Sequence, residues 1–99
     1  MPRKSRSAHA DYRSFLYNNF PYEETHPDRL ATLAHLHGLR TPPPERCRVL
    51  ELGCGLGGNI TGLAVALPGS EFVGVDLSPE QIAAGKADAR SIGLRNLTL

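Results

Sequence analysis

Tryptophan is absent from the 99-residue chain, methionine occurs once and cysteine twice, and 11 basic against 10 acidic side chains leave a formal net charge of +1 with the histidines neutral. Each scarcity removes a class of explanation. A charge so close to zero gives no general attraction to nucleic acid or to an anionic membrane surface. Only "MPRKSRS" at the N-terminus is locally basic, and so short a run reads as a solvated end before it reads as a nucleic-acid tether. No apolar run approaches the roughly 18 to 20 residues that cross a bilayer, and the N-terminus lacks the apolar core of a secretory signal, so the expected address is the cytoplasm. Cys47 and Cys54 flank an extended segment that would hold them roughly 23 Å apart, far beyond the ~7 Å Cα limit for a disulfide. They match no zinc spacing either, and His35 and His37 lie roughly 200° apart around a helix, which rules out chelation from one face. No metal site is expected.

Glycine and proline, by contrast, run above average at 10 and 8 residues. Apolar content of 40% and charged content of 21% fit an ordinary soluble domain, one small enough to bury roughly 60 to 65% of its unfolded surface.

Along the chain, Ala8, Tyr12, Phe15, Leu16 and Asn19 fall at helical spacing, and "FPYEETHP" then interrupts them with two prolines. A second helix is expected next. Thr25 is its cap, Pro27 sits in its first turn, Asp28 completes a capping box, Leu30, Leu33, Ala34 and His37 form the apolar stripe, and Gly38 is the stop. "TPPPE" is a polyproline-like spacer. Residues 1–45 thus form an N-terminal helical segment with its spacer, and residues 46–99 an alternating β and α unit. "CRVLEL" (Cys47–Leu52) reads as a buried strand, "NITGLAVAL" (Asn59–Leu67) as a helix and "EFVGVDL" (Glu71–Leu77) as a second strand. Strand, helix and strand in about thirty residues make a βαβ unit with a parallel pair. "SPEQ" opens another helix, with Ser78 as cap, Pro79 first and Gln81 reaching back; it ends at Gly93, and "NLTL" begins a third strand.

Chemistry concentrates in "VLELGCGLGGN" (Val49–Asn59). Gly53, Gly55 and Gly58 fit G-x-G-x-x-G, and a glycine loop between a parallel strand and its helix lies at the carboxyl edge of the sheet, where open α/β sheets place ligands. A bare tight turn needs one or two glycines; Gly53, Gly55, Gly57 and Gly58 make four, which favours a loop that lets a ligand approach the backbone. Asp76, 23 residues after Gly53, puts a carboxylate beside that loop at the spacing that suits the paired hydroxyls of a ribose. It also precedes a helix whose dipole favours an anion, and both roles are compatible. Cys54 needs only to be small.

"VLELGCGLGGN" followed by "FVGVDLSPEQI" resembles the first two signature motifs of class I S-adenosylmethionine-dependent methyltransferases. "ETHPDRLATLAHLHGL…PPPERCRVLELGCGLGGN" also resembles bacterial protein-lysine methyltransferases that carry a regulatory domain. The resemblance implies a partial Rossmann-like α/β fold with strands 1 and 2 and the start of strand 3, truncated before strand 4. It implies S-adenosylmethionine as cofactor, with Gly53, Cys54, Gly55 and Gly57 in the loop under the methionine part, Glu51 at the amino end, Asp76 on the ribose hydroxyls and Leu77 against the adenine. An acid at the loop is tolerated by a sulfonium and would repel a pyrophosphate, which sets Glu51 against the alternative of an NAD-binding oxidoreductase. A non-catalytic interaction module is the other alternative.

No catalytic residue is identified. Tyr12, Tyr17, Tyr22 and His26 precede the fold and would form a lid by the same resemblance, with simple packing the more economical role. The methyl acceptor is open, protein lysine being the suggestion of the resemblance. This length alone is expected to be inactive, and without a fourth strand its first strand is an open edge prone to self-association.

Overall fold

A computed structural model describes residues 20–99. The expected first helix lies outside them apart from Phe20, as do Tyr12 and Tyr17. A 3-10 turn at Glu23–Thr25 leads into helix α1 (Pro27–Leu36), and a second at Pro44–Arg46 leads into strand β1 (Arg48–Leu52). Helix α2 (Ile60–Ala66), strand β2 (Glu71–Val75), helix α3 (Pro79–Ser91) and strand β3 (Leu97–Thr98) follow. Among the described residues the strands form one parallel sheet in the order β1-β2-β3, with Leu50 opposite Val73, Leu52 opposite Val75 and Phe72 opposite Leu97.

Both glycine stops are built as expected. Gly38 and Gly93 adopt φ of +76° and +70°. Leu39 N–H returns to the Ala34 carbonyl at 2.9 Å and Leu94 N–H to that of Ala89 at 3.0 Å, which closes α1 and α3 with the same six-to-one bond. Ser78 caps α3, its hydroxyl accepting from Gln81 N–H.

The N-terminus of α1 differs. His26, not Thr25, is the cap: its Nδ1 accepts from Asp28 N–H at 3.1 Å, while Thr25 lies in the preceding turn and donates its hydroxyl to the Tyr22 carbonyl. The stripe differs too. Leu30, Leu33 and His37 are exposed and Pro27 is the buried residue of this helix. The cause is the partner: α1 packs chiefly on the two short 3-10 turns beside it.

The core lies on one face of the sheet. Cys54, Ile60, Leu63, Ala64 and Phe72 are buried together, with Val49, Ile82, Leu97 and Leu99 packed around them. Two polar side chains tie the crossover down. Ser70 accepts from Cys47 N–H and donates to the Pro44 carbonyl. The Asn96 amide donates to the carbonyls of Ala64, Leu67 and Ser70 at 2.9 to 3.1 Å, which satisfies the end of α2 and the turn after it.

The first strand is only half buried, contrary to expectation. Val49 and Glu51 turn toward the core side, whereas Leu50 and Leu52 are 61% and 75% exposed beside Val73 and Val75 at 41% and 44%. A continuous apolar run predicts cover on both faces; among the described residues only one face has it.

Candidate cofactor site

At the end of β1 the Val75 carbonyl accepts from both Gly53 N–H (2.8 Å) and Cys54 N–H (3.0 Å), which draws the glycine loop across the end of β2. There it meets Asp76. One carboxylate oxygen, Oδ2, accepts from Gly55 N–H at 2.8 Å, and Oδ1 accepts from Ser78 N–H at 2.9 Å, so a single side chain joins the loop to the cap of α3. The helix-end role expected for Asp76 is therefore present, and the loop bond comes in addition.

Gly53, Gly55 and Gly57 have φ of +72°, +58° and +84°. At Gly55 a Cβ would also stand 2.9 Å from Gln81 Oε1, and at Gly57 2.9 Å from Thr61 Oγ1; both are side-chain ends that can turn aside, so it is the left-handed backbone that requires glycine at these two positions. Gly74 and Gly85, which the spacing rules do not single out, are needed for contact from behind. A Cβ on Gly74 would meet Cys54 Sγ at 2.8 Å, and one on Gly85 would meet the Leu56 carbonyl oxygen at 2.7 Å. Their signal was a glycine inside a strand and another inside a helix, each a mark of close backbone approach.

Cys54 is buried under the loop. Burial first, then the charges of Asp76 and Glu51, push its thiol up to about 11. It stays a thiol at neutral pH and is no nucleophile. Both cysteines are free.

Glu51 supplies the other carboxylate. Asn59 Nδ2 donates to its Oε1 at 3.4 Å, while Oε2 is fully shielded and has no hydrogen-bond partner, although the side chain as a whole is half buried. Burial raises its pKa above the ordinary carboxylate value and the Asn59 bond offsets part of that rise. An orphaned anionic oxygen fits a cationic donor such as an ammonium group. Leu77, half exposed, lies beside Asp76. The residues singled out from the sequence, Glu51, Gly53, Cys54, Gly55, Gly57, Asp76 and Leu77, thus all lie at the carboxyl ends of β1 and β2. Among the described residues no group of three or more His, Cys, Asp or Glu side chains is arranged to hold a metal, and no helix is long and apolar enough to cross a membrane.

The family model of the methyltransferase domain matches residues 44–99. The chain belongs to that family. Among curated proteins, the methyltransferase-domain chain is 44% identical over 89 residues to the uncharacterized protein RP789 of Rickettsia prowazekii, covering 90% of this chain and 16% of that protein. It is 38% identical over 88 residues to RP028 of the same organism, covering 89% of this chain and 35% of that one. Among solved structures it superposes on PKMT2 from Rickettsia typhi in complex with AdoHcy with a TM-score of 0.76 at 38% identity, covering 83% of this chain and 16% of PKMT2. The chain therefore spans about a sixth to a third of the length of these relatives. The parallel sheet with its helices is the partial Rossmann-like fold that the sequence implied.

Proposed function

We propose that this chain is the S-adenosylmethionine-binding part of a methyltransferase, with a protein lysine as the methyl acceptor of the whole enzyme. The observation that carries the cofactor reading is Glu51 Oε2, a shielded carboxylate oxygen without a partner beside a loop of left-handed glycines. In that place a pyrophosphate would meet like charge, and a cationic amino acid end would meet its complement. Glu51 takes the amino group, the backbone of Gly53–Gly57 lies under the methionine chain, Asp76 shares its acceptor positions with the ribose hydroxyls, and Leu77 covers one side of the adenine. When bound, the cofactor supplies a methyl group on a sulfonium, open to in-line attack by a nucleophile. What these residues contribute is orientation and charge complementarity. The lysine acceptor draws support from the likeness to PKMT2 and from the stretch Glu24–Asn59 that carries the same resemblance in sequence. The two free cysteines accord with the cytoplasmic address expected from composition.

Calorimetric titration of the full-length protein that carries this sequence tests the reading. S-adenosylhomocysteine should bind and NADH should not. Asp76→Ala should weaken binding by roughly tenfold or more, the size of a lost charge-assisted hydrogen-bond pair. Unchanged affinity in Asp76→Ala would remove Asp76 from the ribose role, and displacement of the ligand by NADH would restore the oxidoreductase alternative.

A further inference from the structure

Asn59 stands at the N-cap of α2 yet makes no capping bond with its side chain. Asparagine at this position ordinarily accepts from a backbone N–H of the first turn. Here the amide is spent on three other partners. Its Oδ1 accepts from Tyr22 N–H at 2.7 Å, and its Nδ2 donates to Thr25 Oγ1 at 2.8 Å and to Glu51 Oε1 at 3.4 Å. Only one arrangement of these bonds is chemically open. A backbone N–H only donates and a carboxylate only accepts, so Oδ1 must face Tyr22 and Nδ2 must face Glu51. The Thr25 hydroxyl gives its hydrogen to the Tyr22 carbonyl at 2.8 Å and has only lone pairs left for the second Nδ2 hydrogen. Tyr22 thus takes part through its backbone and not through its ring. Asn59 is a donor aimed at Glu51 by bonds that do not involve Glu51, and at 6% exposure it acts where water competes little.

Glu51 needs such an outside hold. The last torsion of a glutamate is broad and two-fold, so either oxygen can face a ligand unless one is claimed. Asn59 claims Oε1, and Oε2 is left without a partner. The same bond opposes the effect of burial on the carboxyl group, which favours the ionised form that complements an ammonium group. We infer that Asn59 is the positioning residue for the amino-acid end of the cofactor: it fixes Glu51 by Oε1, reserves Oε2 for the ligand's ammonium group, and so makes the site select a nucleoside thioether that carries an α-amino acid over the same nucleoside without one. The inference rests on the cofactor reading above and goes beyond it, since recognition of that end becomes the work of a pair, one residue on β1 and one at the head of α2.

Two ligands separate this role from a merely structural one. S-adenosylhomocysteine carries the amino-acid end and 5′-methylthioadenosine lacks it; both are titrated calorimetrically into the full-length protein that carries this sequence. Asn59→Ala should weaken S-adenosylhomocysteine by roughly tenfold, the size of one lost orienting hydrogen bond to a charged group, and leave 5′-methylthioadenosine within about twofold. Asn59→Ser should do the same with α2 kept stable, because serine is a good N-cap and too short to span Tyr22 and Glu51. In a Glu51→Gln background Asn59→Ser should change the ratio of the two affinities by less than about twofold, since Asn59 acts on the ligand only through Glu51. If both Asn59 variants weaken the two ligands alike, by loss of fold or otherwise, or weaken neither, the positioning role is wrong while the cofactor reading stands. If the unaltered protein does not prefer S-adenosylhomocysteine, or if Glu51→Gln leaves the preference intact, the assignment of Glu51 falls and the role of Asn59 falls with it.

Discussion

A carboxylate with one oxygen held by Asn59 and the other without a partner, as at Glu51, raises the free energy of the folded state at neutral pH. Its folded pKa lies above the ordinary 4.5, so folding favours the protonated form: that stabilisation is complete below the ordinary value and is lost as pH rises through the raised one. Glu51→Gln should therefore melt a few degrees higher than the parent at about pH 7, with the gain vanishing below about pH 4, and should bind S-adenosylhomocysteine roughly tenfold more weakly. Thermal melts at the two pH values with matched titrations check it; a lower melting point at neutral pH would contradict the assignment. The same surroundings govern Cys54. With its thiol pushed up to about 11, only about a thousandth is thiolate at pH 8, and iodoacetamide should modify it at least a hundredfold more slowly than an unperturbed cysteine. Peptide mapping of a labelling time course measures this, and rapid loss of the Cys54 peptide would overturn it.

Two helix glycines separate propensity from packing. Gly62 in α2 has open space where a Cβ would be, whereas Gly85 in α3 faces the Leu56 carbonyl oxygen at 2.7 Å. Gly62→Ala should stabilise by about 0.5–1 kcal/mol through helix propensity alone. Gly85→Ala should destabilise by about 1–3 kcal/mol in spite of the same propensity gain, because a backbone atom must move. Denaturant midpoints of the two variants should shift in opposite directions. At this scale the sequence is legible where the signal is local. Ser78, Gly38, Gly93 and the glycine loop each declare a cap, a stop or a turn within a few residues, and the structure places each accordingly. What could not be read was set by distant partners. Thr25 looks like a cap, and it is Asn59, 34 residues on, that claims its hydroxyl oxygen. Leu30 and Leu33 have core periodicity, but α1 packs chiefly on the two 3-10 turns and leaves both exposed. Asp76 was singled out by spacing and Glu51 by the family resemblance; the bonds that Asp76 makes to Gly55 and Ser78 depend on two loops meeting.

Across the whole described structure the sheet has one clothed face and one bare one. Leu50, Leu52, Val73 and Val75 form a contiguous apolar surface, and β1 is an edge strand. An ion pair on that face, Arg48 to Glu71 at 3.3 Å, is exposed and contributes little. We expect the 99-residue chain on its own to self-associate through this side as concentration rises. Leu52→Lys combined with Val73→Lys should return it to monomer, as sedimentation velocity over a concentration series would show; identical profiles for parent and variant would contradict the expectation.

Asn96 bears on how the chain is made as well as on how it stands. Its one amide closes three carbonyls belonging to α2 and the turn that follows, and it lies just ahead of β3. During synthesis the first strand, crossover helix and second strand leave the ribosome about twenty residues before the group that completes their hydrogen bonding, at a pace of about 5–20 residues per second. Until then the carbonyls of Ala64, Leu67 and Ser70 lack this amide and are left to solvent. In vectorial synthesis, closure of the α2 end and pairing of β3 therefore become possible at the same point, once residue 96 has been delivered.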